Sequence, residues 1–184
     1  MIALNEERIL QFIESHPGSY VREIKRNLKI SMGSTQYNLY RLENKGKVVS
    51  IRRGLHKFYF LKGVFGDHEK NILQMLNAGT SRKILLAIIE GKNPTQTDIV
   101  EKVGISYASL HRHIELLLRF KIIKEEIDGR HKRYLLFSRR STRLIIALFR
   151  NYYSNSWIRW SEGLTEMYLA LSEDDEKANK EFQK

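Results

Sequence analysis

Apolar residues recur along this chain at two periods. Across Val103 to Ile123, Leu110, Ile114 and Leu117 stand four and three apart and bury one helix face, while Tyr107, Ser109, His111 and Arg112 fall largely off it. Gly104 interrupts the pattern as a helix C-terminal glycine does, and Ser106 is placed to cap the next helix by accepting a backbone N–H. The stretch predicts a helix end, a short turn and a longer helix. Beyond it the period drops to two. Ile122 to Ile127 and Lys132 to Phe137 read as strands joined across Asp128-Gly129-Arg130, whose Asp-Gly pair favours a tight turn.

The same pattern stands earlier in the chain. A shift of 75 residues, without a gap, pairs Ile9-Leu10 with Ile84-Leu85, Ile24 with Ile99, Ile30-Ser31 with Ile105-Ser106 and Leu42 with Leu117. It then pairs Gly54 with Gly129, His56-Lys57 with His131-Lys132 and Tyr59 with Tyr134. Helix, turn, helix and hairpin held in one register indicate a duplicated domain.

The first unit, residues 1–62, opens with Asn5-Glu6-Glu7 as a cap and two acids, with Ile9, Leu10 and Ile13 as the buried stripe ended by Pro17-Gly18. A second helix is expected over Tyr20 to Leu28, and a third from the cap Ser31 through Leu39 and Leu42 to Lys45-Gly46. A hairpin follows, Lys47 to Ile51 and Lys57 to Leu61, with a basic tip at Arg52 to His56. Residues 63–79 read as a connector holding a short helix, Asp67 to Leu76. The second unit, residues 80–138, has helices expected over Ser81 to Glu90, Thr95 to Val103 and Ser106 to Phe120, with Thr95 and Asp98 at capping-box spacing.

Residues 139–184 leave the repeat. Leu144, Ile145, Leu148, Phe149, Tyr152 and Tyr153 form an amphipathic helix, Ser154-Asn155-Ser156 a break, and Trp157, Trp160, Leu164, Met167 and Leu171 a short a/d seam. That seam serves either as core packed on the second unit or as a homodimer interface. Glu173 to Glu176 and the polar tail after them read as a solvated end.

Net charge changes the picture. The chain carries 32 basic and 21 acidic side chains, a balance of +11. Residues 1–62 hold 12 basic and 5 acidic, or +7, and residues 79–138 hold 11 and 7, or +4. An excess confined to the two repeats suits phosphate binding, since each neutralised phosphate releases condensed counterions.

On these residues the chain resembles winged helix-turn-helix regulators of the ArsR and MarR type, whose recognition helix reads like Ile105-Ser106-x-x-Ser109-Leu110-x-Arg112-His113-Ile114-x-x-Leu117. The phrase Leu39-x-x-Leu42-Glu43-x-x-Gly46-x-Val48 is similar to the same group. Tandem units of this kind resemble a group of archaeal regulators over roughly residues 5 to 138. The resemblance implies a mainly α fold with small β-hairpin wings, two tandem winged helix-turn-helix domains and C-terminal helices. It further implies a sequence-specific regulator of transcription bound to double-stranded DNA, with each third helix in the major groove and each wing on backbone or minor groove.

Carried over position by position, the groove-facing candidates are Met32, Ser34, Gln36, Tyr37 and Arg41 in the first unit and Tyr107, Ser109, His111 and Arg112 in the second. Gln36 suits adenine and Arg112 suits guanine. His113 either packs or reaches a phosphate. The wing candidates are Arg52, Arg53, His56 and Lys57, then Arg130, His131, Lys132 and Arg133, all placed for phosphate, which fixes register without reading sequence. The first unit departs from the pattern at Thr35 and Tyr37, so its helix serves either weak DNA binding or a partner protein.

Other classes fit poorly. The chain has no cysteine, which excludes disulfides and thiolate metal sites. His111 and His113 are two apart on a helix and point to different sides, so no metal or other cofactor is expected. An enzyme is not expected either, for no phosphate-binding glycine loop and no nucleophile elbow is present. The apolar clusters fall short of the ~20 residues of a membrane span, so a cytoplasmic protein without a membrane partner is expected. The competing reading is a non-catalytic winged-helix adaptor for RNA or for a protein of the transcription or replication machinery.

Overall fold

The computed structural model describes residues 2–153. They divide after Asn77 into two compact units. The seam from Trp157 to Leu171, its break at Ser154-Asn155-Ser156 and the acidic run after it lie outside the described residues.

In the first unit α1 (Ile2–Ser15), β1 (Ser19–Tyr20), α2 (Val21–Leu28) and α3 (Met32–Asn44) precede a hairpin of β2 (Val48–Arg53) and β3 (His56–Leu61). Expected to start at a cap on Asn5, α1 instead begins at Ile2. Glu6 is therefore no first-turn acid, and its carboxylate turns inward to Arg41 and Lys45. Ile9 and Ile13 of α1 meet Ile24 of α2, Leu39 and Leu42 of α3, and Val48 and Tyr59 of the hairpin in one core. The four-and-three spacing of α3 and the alternation of the hairpin thus face the same interior.

The sheet has the order β1-β3-β2, antiparallel, with Ser19 opposite Tyr59 and Tyr20 opposite Phe58. β1 is two residues long, too short to show a period, and the sequence does not betray it. The wing differs from expectation in its turn. Strand pairing runs on to Arg53 opposite His56, which leaves Gly54-Leu55 as the tip, with Gly54 at φ +55°. Arg52, Arg53 and His56 are strand residues, and the tip itself carries Leu55, not a base.

A helix α4 (Asp67–Asn77) closes the first unit, with Ile72 to Leu76 all buried. This is the helix expected in a connector; it clusters with the first unit, where Asn77 Nδ2 donates to the Pro17 carbonyl at 2.9 Å.

The second unit repeats the frame: α5 (Gly79–Glu90), α6 (Gln96–Val103), α7 (Tyr107–Arg119), β4 (Ile123–Asp128) and β5 (His131–Leu136). α6, α7, β4 and β5 occupy the spans of α2, α3, β2 and β3 moved by 75 residues. Even the pairing of Tyr20 with Phe58 recurs, as a bridge of Thr95 with Arg133. Ile84, Ile88, Ile99, Ile114, Leu117, Ile123 and Tyr134 fill the core at the positions of Ile9, Ile13, Ile24, Leu39, Leu42, Val48 and Tyr59. Thr95 and Asp98 close a capping box on α6, and Gly104 ends it at φ +71°. A final helix α8 (Arg139–Tyr152) starts five residues before Leu144, because Ser138 caps it by accepting from Ser141 N at 3.1 Å. Ile145, Leu148 and Phe149 form its buried stripe.

Candidate nucleic-acid interface

The third helix of each unit, α3 or α7, is launched by a serine and pinned from behind by α1 or its counterpart α5. On α3, Ser31 Oγ accepts from Ser34 N at 3.2 Å, and the buried Thr35 returns its hydroxyl to the Ser31 carbonyl at 2.8 Å. With Leu39 and Leu42 in the core, Gln36 and Tyr37 stand in solvent and Met32 and Ser34 are half-buried. The Ser34 carbonyl and hydroxyl accept from Asn38 Nδ2 at 2.7 and 3.2 Å. Arg41 does not present a free guanidinium. Its Nε lies 2.8 Å from Glu6 and its plane sits 5.8 Å over the Tyr37 ring. A cation beside a buried carboxylate is held there by charge, which the sequence conceals because 35 residues separate the two.

On α7, Ser106 Oγ accepts from Ser109 N at 3.2 Å. Tyr107 is exposed and donates its hydroxyl to Thr97 Oγ1 at 3.2 Å. His111 is exposed with Nε2 3.5 Å from Glu115, and Ser109 is half-buried. Arg112 is exposed and makes no hydrogen bond or ion pair among the described residues. His113 is half-buried with Nδ1 2.8 Å from Ser81 Oγ, so it packs against α5. Burial pushes its pKa below the ordinary histidine value, and the charge of Arg112 adds to the effect.

The wings are unequal. Arg52 and His56 are exposed, His56 with its ring at the edges of Tyr20 and Phe58. Arg53 is tied by hydrogen bond to Asn71, and Lys57 lies 2.7 Å from Glu43 and 5.3 Å over the Tyr59 ring. Burial pulls the Lys57 ammonium down, but the Glu43 hydrogen bond and the charges around it outweigh this and raise its pKa. In the second hairpin Arg130 stands at the tip without an ion pair among the described residues and His131 is exposed, while Lys132 pairs with Glu125 at 3.1 Å. Arg133 pairs with Asp128 at 2.6 Å and donates to the Asn93 carbonyl at 3.1 Å. Exposed pairs of this kind are worth little and yield readily to a phosphate.

Between hairpin and third helix each unit has a hollow, of about 470 Å³ in the first and about 350 Å³ in the second. Gln36, Arg52, His56 and Lys57 border the first; Tyr107, Arg130, His131 and Lys132 border the second. Tyr20, Arg22 and Tyr40 also line the first hollow and Thr97 the second, positions the motif reading passed over. Tyr40 lies one turn beyond Gln36, a spacing that could have found it. Among the described residues no cluster of His, Asp and Glu could hold a metal ion, and no helix is long and apolar enough to cross a membrane.

These two units are winged helix-turn-helix folds, and comparison with known proteins agrees for the first. Residues 5–73 match the family model HTH_HVO_0163_N, an N-terminal HTH domain. No curated protein matches the chain. Among solved structures, the helix-turn-helix chain is similar to the transcriptional repressor BigR from Xylella fastidiosa, at 19% identity over 43% of this chain and 80% of that one, TM-score 0.38. It is similar to reduced HlyU from Vibrio cholerae N16961, at 18% identity over 46% and 88%, TM-score 0.39. It is also similar to the hypothetical protein PyrSV_gp04 from Pyrobaculum spherical virus, at 12% identity over 74% and 95%, TM-score 0.42. Likenesses so distant lend this chain no function, and the fold of the second helix-turn-helix unit rests on its own geometry.

Proposed function

We propose that the chain is a transcription regulator that binds double-stranded DNA and reads its sequence chiefly with α7. The observation that carries this reading is Arg112, an uncommitted guanidinium on the exposed face of a serine-capped helix whose other face is core. A guanidinium in the major groove can donate two hydrogen bonds to guanine O6 and N7, a contact worth about 1–3 kcal/mol of discrimination. Tyr107 and His111 flank it, and Arg130, His131, Lys132 and Arg133 supply backbone contacts. In the first unit Gln36 and Tyr37 offer an uncharged reading face, and Arg52 and His56 the phosphate contacts. Two copies joined through residues 139–184 would set four such units on a pseudo-palindromic site, an arrangement excluded if the protein sediments as a monomer at DNA-binding concentrations.

The test is a salt series of binding to a duplex from the protein's own upstream region, to a scrambled duplex of equal length and to single-stranded RNA. A preference for the native duplex of about 10³ or more, lost in Arg112→Ala, supports sequence-specific regulation. Equal binding of all three probes with a steep salt slope overturns it in favour of an adaptor.

A further inference from the structure

The two hollows share one frame and differ in lining. All seven residues around the second hollow have counterparts 75 positions earlier around the first, among them Thr95 with Tyr20, Thr97 with Arg22, Tyr107 with Met32 and Arg130 with Leu55. The second lining is small hydroxyls, an amide and cations beside one tyrosine, which suits a surface laid along sugars and phosphates. The first is larger and extends along α3 to Gln36, Tyr40 and Glu43. There Tyr40 is 62% exposed, without a hydrogen bond or ring contact of its own among the described residues. Its counterpart on α7 is Glu115, an acid paired with His111. In the same lining, the rings of Tyr20 and His56 meet edge to face at 5.6 Å. Arg22 and Arg52 add two exposed guanidinium groups to the lining, and neither makes an ion pair among the described residues.

A flat ring open to a concave surface, with unpaired cations around it, is matched by a ligand that is itself a flat ring carrying an anion. In a base-paired duplex the grooves display base edges, and the faces are stacked away from any side chain. An unpaired nucleotide displays its face, and stacking on an aromatic side chain with phosphate on arginine is how single strands are held. We propose that the hollow of the first unit holds an unpaired nucleotide of a nucleic-acid strand, its base against Tyr40 and its phosphate on Arg22 and Arg52. This rests on the nucleic-acid reading of the wing and recognition helix, and it assigns the first unit a task different from that of the second.

The experiment uses the full chain and fluorescence anisotropy with a labelled single-stranded 12-mer, a duplex of the same length and AMP as a free mononucleotide, for the wild type, Tyr40→Ala and Tyr40→Phe. Tyr40 is solvent-exposed, and circular dichroism confirms that each variant keeps its fold. The ratio of single-strand to duplex affinity falls about five-fold or more in Tyr40→Ala and stays within about two-fold in Tyr40→Phe, as loss and retention of one stacking ring require. Equal weakening of both probes, or no change, overturns the proposal. Competition by AMP as strong as that of the 12-mer also overturns it, assigning the hollow to a small molecule. The regulator reading fails by a separate signature, a native-duplex preference that is absent or that survives Arg112→Ala.

Discussion

Glu6 and its counterpart Ser81 both anchor the first helix of a unit to its third helix, and both anchors weaken in acid, over different pH ranges. The hydrogen bond from Lys45 holds the Glu6 carboxyl below the ordinary glutamate range, burial opposes this, and the charges of Arg41 and Lys45 reinforce it. A carboxylate with a depressed folded pKa contributes stability above its unfolded pKa and loses it as pH falls through the folded value. Glu6→Gln is expected to lower Tm at pH 7 and to flatten its decline between about pH 5 and pH 3 in thermal melts. His113 is held neutral by its burial against Ser81. The unfolded chain binds that proton more readily, so the wild type loses stability as pH falls below about 6.5, the ordinary histidine value. His113→Asn, which installs the residue found at position 38, should reduce the Tm difference between pH 7.5 and 5.5; an undiminished difference would rule out His113 as its source. The outward residues Gln36, Tyr107 and Arg112 were legible from helical periodicity alone. The engagement of Arg41, Arg53 and Lys57 was not, since each partner comes from another element and no period reports it.

At the scale of elements, the repeat offers paired positions that differ by one residue type. Lys29 and Gly104 both end the second helix of their unit in the left-handed region, at φ +54° and +71°. A side chain there is strained, and glycine is not. Lys29→Gly is expected to stabilise the protein by about 0.5–1 kcal/mol and Gly104→Ala to destabilise it by about 1 kcal/mol, both read by chemical denaturation. Thr95→Ala opens the capping box and should cost about 1 kcal/mol in the same assay. Helices, caps and hairpin strands were readable because their signals are local. Helix starts were not: α1 and α8 extend upstream of the residues that looked like their beginnings, because tertiary contacts of Glu6 and a cap at Ser138 set them. The wing turn shrank to two residues because strand pairing carried Arg52 and Arg53 into the ladder.

For the whole molecule, the charge excess of the two repeats sets how binding responds to salt. Each phosphate contact adds about one to the slope of log affinity against log salt, so Arg130→Ala is expected to reduce that slope by about one while leaving the ranking of duplex sequences intact. Duplication was visible because one shift aligned cores, caps and turns together. The end of the first unit was not visible, for α4 lies outside the repeat and Ile72 to Leu76 are buried on every side of the helix, a pattern without amphipathic direction.

The constant 75-residue register of the two copies has a practical result. α3 and α7 are both 13 residues long, both enter behind a serine cap and both leave two residues before a left-handed position, Gly46 or Lys121. One can therefore be transplanted into the seat of the other, together with its anchor at position 6 or 81. The chain is a pair of matching sockets on one thread, and a chimera with the two inserts exchanged is expected to keep both cores folded.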